Sequence, residues 1–335
     1  MKKLFAVAFV LLACVSCMSA SEKLTQARLT SLSNDFRASL EKLDASSGAM
    51  CVVANGKTIF GRDFILKGDN KKIKKFPLGN TSQALMSLML VSMESKGKIS
   101  GDWKISRYCS YLSQKYKTTF SDFLSMRGGV DSHYDSLLPS DSSAIETFEI
   151  VSQLTPTSQS GDVFSRSRLS ATIAGYAIGY IFDKREKNMK KSFASCSEEY
   201  LFKPLGFIEP RFSSFNLATF PATAYALCIA DIAKWLECET SQTPQFSTAS
   251  AISKRREPMQ ESEKFSQGWL LSYEKGMRFF VSADYWENCA NVVAVFPSVD
   301  VAVAFFVSSK DSKKSAKLCA DSVSKIIEIL MFSKK

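Results

Sequence analysis

Between residues 22 and 43 the chain is mostly polar, with large apolar residues at Leu24, Leu29, Leu32, Phe36, Leu40 and Leu43. That recurrence every three to four residues predicts an amphipathic helix. Residues 50–54 and 58–60 are apolar runs on either side of Asn55-Gly56. Both turn residues accept positive φ, so this pattern predicts a β-hairpin. Toward the other end, residues 268–272, 278–282, 291–296 and 299–307 predict four strands. Residues 313–332 then predict a closing helix, with Ala316, Leu318, Cys319, Val323, Ile326, Ile327 and Leu330 apolar. The stretch between, residues 81–263, is dominated by helical patterns and loops. Within it, residues 84–93 are apolar all round, so Met86, Met89 and Met93 belong to a centrally buried helix rather than to a cofactor face. The simplest architecture is α+β: an antiparallel sheet of about six strands, flanked by N- and C-terminal helices, plus a mostly helical inserted domain. Residues 22–78 and 265–335 form the sheet domain in this reading, and residues 79–264 the helical one.

The first residues have a different pattern. Met1-Lys2-Lys3 is basic and residues 4–13 are unbroken apolar, the two regions of a secretory signal. The run is too short to span ~30 Å of hydrocarbon, which needs about 20 residues. Residues 1–16 are therefore expected to direct export. Cys17 follows Val15-Ser16, and Cys14 follows Leu12-Ala13. Small or aliphatic residues before a cysteine at the end of such a run resemble the lipobox of bacterial lipoproteins. The resemblance implies a lipid on Cys17, with Cys14 the alternate and simple cleavage after Ala20 the competing outcome. It also implies an exported, periplasmic protein anchored to the bacterial membrane by that lipid.

Composition narrows the chemistry. With 45% hydrophobic and 23% charged residues the chain is an ordinary globular one, which excludes a disordered chain, a collagen and a polytopic membrane protein. Lysine and arginine exceed aspartate and glutamate by 43 to 33. Such an excess suits contact with anionic lipid or cell-wall polymer, and solubility alone also accounts for it. No basic cluster is interleaved with aromatics, so no nucleic-acid partner is expected. His133 is the only histidine, which leaves no basis for a histidine-based metal site or a serine–histidine triad. It lies near Asp131 and Asp135 in a polar loop and reads as solvated. No metal and no cofactor is expected. Cys51, Cys109, Cys196, Cys228, Cys238, Cys289 and Cys319 are scattered without a CxxC and read as buried free thiols.

Phe76-Pro77-Leu78-Gly79-Asn80-Thr81-Ser82-Gln83 opens the apolar helix, and Lys96-Gly97-Lys98-Ile99 with Ile105-Ser106-Arg107-Tyr108 follows it. In order along the chain come Thr119-Phe120-Ser121-Asp122-Phe123-Leu124-Ser125, Gly161-Asp162-Val163-Phe164, and Lys203-Pro204-Leu205-Gly206-Phe207. Collinear as they are, these segments resemble the serine β-lactamase and penicillin-binding-protein superfamily, in its class C and DD-peptidase-like esterase branch. The resemblance runs from about residue 60 to residue 307 and implies a β-lactamase/transpeptidase-like fold.

It also implies where chemistry should reside. The family opens its buried helix with F-x-I-G-S-x-S-K. Serine and lysine three apart share one helical face, so the amine can take the hydroxyl proton. The serine amide, at the helix N-terminus, helps hold the resulting oxyanion. Here the serine position is Asn80 and the lysine position is Gln83. Neither carboxamide acts as a nucleophile or base near neutral pH, and loss of such a nucleophile typically lowers kcat about 10⁶-fold. A Y-S/A-N triplet is replaced by Arg166-Ser167-Arg168, and the third-strand H/K-S/T-G by Val281-Ser282-Ala283. Ser82 lies about 200° round the helix from Asn80, and with Asn80 and Thr81 it is read as capping the helix start. The S-x-x-K pattern recurs at Ser39–Lys42, Ser95–Lys98, Ser272–Lys275 and Ser322–Lys325, outside the matching context each time.

The sequence thus predicts a β-lactamase-like pseudoenzyme, with no catalytic residue in place, that binds a cell-envelope ligand or partner. The alternative is an active serine hydrolase, a DD-peptidase, esterase or β-lactamase, with an unconventional nucleophile. Guanidinium groups suit carboxylate or phosphate. Arg166 and Arg168 are accordingly the candidates to bind a peptidoglycan fragment or other anionic envelope ligand, and the competing reading puts both on a solvated loop. Trp103, Trp235 and Trp269 are read as packing anchors. Trp286 is the ligand candidate among the tryptophans, because the matching loop borders the family's cleft.

Overall fold

The two ends of the chain build one sheet because their apolar runs can be satisfied only on both faces at once. A computed structural model describes residues 19–68, 72–137, 139, 141–159, 161–213, 219–240, 248–258 and 264–332. The expected export segment, with Cys14 and Cys17, lies outside them. Helix α1 (Gln26–Lys42) is capped by Thr25, whose hydroxyl accepts from the Arg28 amide, and buries Leu29, Leu32, Phe36 and Leu40. Strands β1 (Ser47–Ala54) and β2 (Lys57–Ile65) form the hairpin, with Asn55 and Gly56 both at positive φ. Strands β6 (Phe265–Ser266), β7 (Trp269–Glu274), β8 (Met277–Trp286), β9 (Cys289–Phe296) and β10 (Val301–Ser308) come from the far end.

The sheet has seven strands in the order β2-β1-β10-β9-β8-β7-β6. Neighbours pair antiparallel, and β1 joins β10 from Ser47 opposite Ser308 to Ala54 opposite Val301. Every residue of β1 is buried, as expected of a strand covered on both faces. Ala49, Cys51 and Val53 face the helical part, together with Ala302, Ala304 and Phe306. Met50, Val52 and Ala54 face the opposite side, where α1 and the closing helix (Ser312–Phe332) cover them. Phe36 packs there against Phe64 and Phe305, with ring centroids 5.8 and 5.5 Å away.

On the other face sits α2 (Ser82–Ser95), buried on all sides from Ser82 to Met93. Around it lie α3 (Arg168–Phe182), α4 (Ile229–Thr240) and shorter helices. The sheet thus has one strand more than the sequence indicated. A small second sheet, β3 (Phe76–Pro77), β5 (Tyr225–Leu227) and β4 (Arg211–Phe212), also escaped that reading. Its strands have two or three residues, too few to form a period. Among the described residues no helix is long and apolar enough to cross a membrane. All seven described cysteines are free, Cys289 half-buried and the others buried.

Candidate active-site cleft

The start of α2, the start of α3 and the end of β8 meet at one open cleft of about 930 Å³. β3 runs beside β5, and the Leu78 amide donates to the Tyr225 carbonyl at 2.8 Å. Gly79–Thr81 then makes a 3-10 turn into α2. Gly79 has φ of +56°, and a β-carbon there would lie 2.3 Å from the Asp284 carboxylate and 2.5 Å from the Trp286 ring. The turn therefore presses the Asn80 backbone against the end of β8.

Asn80 and Gln83 line the cleft, as do Val281, Ser282, Ala283 and Trp286 from β8. Arg166 and Arg168 lie at its exposed rim. Ser167 is buried behind them as the cap of α3, accepting from the Ser170 amide at 3.4 Å. The fold thus brings all the altered motif positions into one place. The expected capping of α2 is not found, because each candidate is engaged elsewhere. Thr81 donates to Asn291 Oδ1 at 2.7 Å, and Ser82 accepts from the Tyr225 amide at 3.1 Å.

Asn80 is engaged by Asp284, a residue that the sequence reading passed over. The Asn80 amide donates to Asp284 Oδ2 at 2.8 Å, and Asn80 Nδ2 donates to Oδ1 at 3.1 Å. Gln83 Nε2 reaches Asn80 Oδ1 at 3.5 Å. Burial raises the Asp284 pKa above the ordinary carboxylate range, opposed by the Asn80 donors, the Tyr285 amide and the positive charge of Arg166. Asp135 is the second missed carboxylate. It accepts from the Ser167 hydroxyl at 2.7 Å and from the Arg168 and Leu169 amides at 3.0 and 3.1 Å, where the α3 dipole favours negative charge. Arg168 Nε stands 3.9 Å from the same carboxylate. The only available sequence signal for Asp284 was its place directly after the Val281-Ser282-Ala283 triplet.

One wall is apolar. Phe164 packs on Phe265 at 5.5 Å, and Leu270 pairs with Val281 across β7 and β8. Among the described residues Ser132 and Ser282 are the serines of the lining, and no lysine or histidine accompanies them. No group of three or more metal-ligating side chains occurs among the described residues. His133 is exposed, its Nδ1 2.7 Å from Asp131 Oδ1. Trp235 and Trp269 are buried together, and Trp103 stacks on Tyr108.

The Beta-lactamase family model matches residues 32–326. The solved structure of SurE with D-Leu is similar over 93% of this chain and 78% of its own, at 15% identity and a TM-score of 0.74. A class C beta lactamase from Rhodobacter sphaeroides is similar over 88% of this chain and 99% of its own, at 12% identity and a TM-score of 0.69. The octameric penicillin-binding protein homologue from Pyrococcus abyssi is similar over 89% and 77%, at 12% identity and a TM-score of 0.71. Among curated proteins none matches the sequence. At these identities the structural likenesses establish the fold, α+β and β-lactamase/transpeptidase-like.

Proposed function

Because this chain belongs to the beta-lactamase family, with carboxamides at the positions of the family's nucleophile and base, we propose that it is a binding protein on a hydrolase fold. Its ligand is a fragment of the bacterial cell envelope, held without covalent turnover. In this reading it is exported and tethered to the membrane through a lipid on Cys17.

The observation that carries the proposal is the occupied amide at Asn80. Acyl transfer needs donors aimed at the position where the oxyanion develops. Here the amide at the head of α2 is committed at 2.8 Å to the chain's own carboxylate, Asp284. An oxyanion forming there would lose a donor and face a negative charge. The lining also lacks, among the described residues, a lysine or histidine that could activate Ser132 or Ser282, which disfavours an unconventional nucleophile. The cleft remains open and large enough for a small ligand, which supports binding rather than a vestigial pocket.

The test is to incubate the full chain with a fluorescent penicillin and a fluorophosphonate, map adducts by mass spectrometry, and measure binding of peptidoglycan fragments in parallel. No adduct together with saturable, reversible binding is expected. A stoichiometric adduct on one serine would overturn the reading in favour of a serine hydrolase.

A further inference from the structure

The start of the described chain is fixed against the end of the closing helix. Ser19 caps the short helix Ala20–Lys23, and the Glu22 carboxylate accepts from the Ser19 amide at 2.6 Å. Lys23 Nζ donates to the Leu330 carbonyl at 2.7 Å, and Arg28 Nη1 donates to the Lys23 carbonyl at 2.9 Å. Ala20 and Leu24 are buried in the same apolar cluster as Leu330. Beside this joint, on the last turn of the closing helix, Met331 is 40% and Phe332 62% exposed. Two peptide units separate Ser19 from Cys17, a reach of at most about 7 Å. A lipid on Cys17 would therefore bring the bilayer directly to this corner.

The corner is far from the cleft. The closing helix starts at the cleft end of the sheet, where Ser308 pairs with Cys289 and the Ser309 amide donates to the Asn288 carbonyl at 2.9 Å, just past Trp286. It ends beside the turn between β7 and β8, where Lys275 Nζ meets Glu328 at 2.5 Å and Ser324 donates to Glu274 at 3.0 Å. The 21 residues of the helix span about 31 Å, and β8 covers a similar length from Met277 to Trp286. Asn80 and Gln83 also lie on the other face of the sheet, at the head of α2. Two other exposed aliphatic side chains, Ile73 and Ile208, precede β3 and β4, and β3 leads into the cleft turn at Gly79. They belong to the cleft side of the molecule.

We infer that the partner of this corner is the bilayer. Met331 and Phe332 enter the boundary between head groups and acyl chains, the closing helix stands up from the membrane, and the cleft is held about 30 Å above it. This rests on the tethered reading above and specifies how the cleft is presented. The lipid supplies attachment, and the apolar pair supplies orientation by giving the chain a second point of contact. A cleft at that height is out of reach of the head groups, so its ligand is envelope material beyond the bilayer surface rather than a lipid.

The processed full chain is reconstituted into vesicles of phosphatidylethanolamine and phosphatidylglycerol, and its intact mass is measured. Lys314→Cys, Asp321→Cys and Glu328→Cys each carry a fluorescent donor, one at a time, with an energy acceptor in the head groups. The three positions are exposed, and a spacing of seven residues keeps them on one side of the helix. Labelling of the natural chain supplies the blank. Energy transfer should rise from position 314 through 321 to 328, with the end labels differing in height by about 20 Å. Met331→Ser together with Phe332→Ser should bring the three efficiencies together while the lipid stays in place, and circular dichroism checks that the variants are folded. Equal efficiencies without the serine pair, or an order that the serine pair leaves unchanged, overturn the inference and leave the tether standing. A reversed order does the same and puts Ile73 and Ile208 on the bilayer instead. A mass without acyl groups overturns the tether itself, and this inference with it. None of these results touches binding without turnover, which falls instead with a covalent serine adduct.

Discussion

At the scale of the residue, Asp284 departs furthest from what the family resemblance implies. It follows the Val281-Ser282-Ala283 triplet on β8, and its carboxylate takes the amide of the residue standing where a nucleophile would be. Burial raises its pKa, so the folded chain holds the Asp284 proton more tightly than the unfolded chain does. Over the window from the ordinary carboxylate range up to the raised value, the native state binds more protons. This group's contribution to stability therefore falls as pH rises through that window and stays low above it. Asp284→Asn removes the titration. The stability of the natural chain relative to Asp284→Asn should thus be greatest at the acid end, decline as pH rises, and level off toward neutral. Paired thermal melts from pH 3 to pH 7 measure this. A relative stability that grows with pH would show that donors, rather than burial, dominate the site.

At the scale of the element, the wall behind the cleft depends on a buried charge cluster. Glu239, at the end of α4, accepts from Arg255 Nη1 at 3.2 Å, from Arg256 Nη1 at 3.0 Å and from Trp235 Nε1 at 2.7 Å. Arg255 Nε donates to Ser87 on α2 at 3.1 Å, and its carbonyl accepts from Ser266 on β6 at 2.8 Å. The cluster therefore joins the edge of the sheet to the central helix. Next to it Gly268, at φ of +90°, passes so close to α2 that a β-carbon would lie 2.3 Å from the Ala84 nitrogen. Glu239→Ala would leave two buried guanidinium groups without their carboxylate, and removing one partner of such a group costs about 3–5 kcal/mol. Urea denaturation should show a loss of that size. A loss below about 1 kcal/mol would mean that water enters and solvates the arginines. None of this was legible in the sequence, because Ser87 and Arg255 stand 168 positions apart and no local period marks such a pairing. The terminal helices, the hairpin and the closing strands were legible, since each runs long enough to repeat its pattern. The two- and three-residue strands around Tyr225 were not.

At the scale of the whole molecule, the sheet and the helical part each bring half of the cleft. The sequence could therefore reveal which residues were altered, but not what replaced their function. Asn80, Gln83, Arg166, Arg168 and the Val281-Ser282-Ala283 triplet were legible from collinear motifs and all line the same opening, with Ser167 capping α3 behind it. The role of Asp284 was not legible, because it depends on which way β8 turns that side chain and on which amide waits there. Under the proposed binding reading, this separates two accounts of the site. In one, the missing hydroxyl and amine are the whole obstacle. In the other, the fold has also filled the position of the oxyanion with its own carboxylate. An Asn80→Ser, Gln83→Lys double variant distinguishes them, since it restores a hydroxyl and an amine three residues apart on one helical face. With Asp284 still in place, the amide at position 80 remains occupied, and loss of one oxyanion donor lowers kcat about 10²–10³-fold. Adding Asp284→Ala frees that amide and removes the opposing charge. Labelling by a fluorescent penicillin should accordingly be at least about a hundredfold faster in the triple variant than in the double, with the adduct on residue 80. Equal rates in the two would shift the block to the rim, where Arg166-Ser167-Arg168 stands in place of the tyrosine-bearing triplet that assists the family's base.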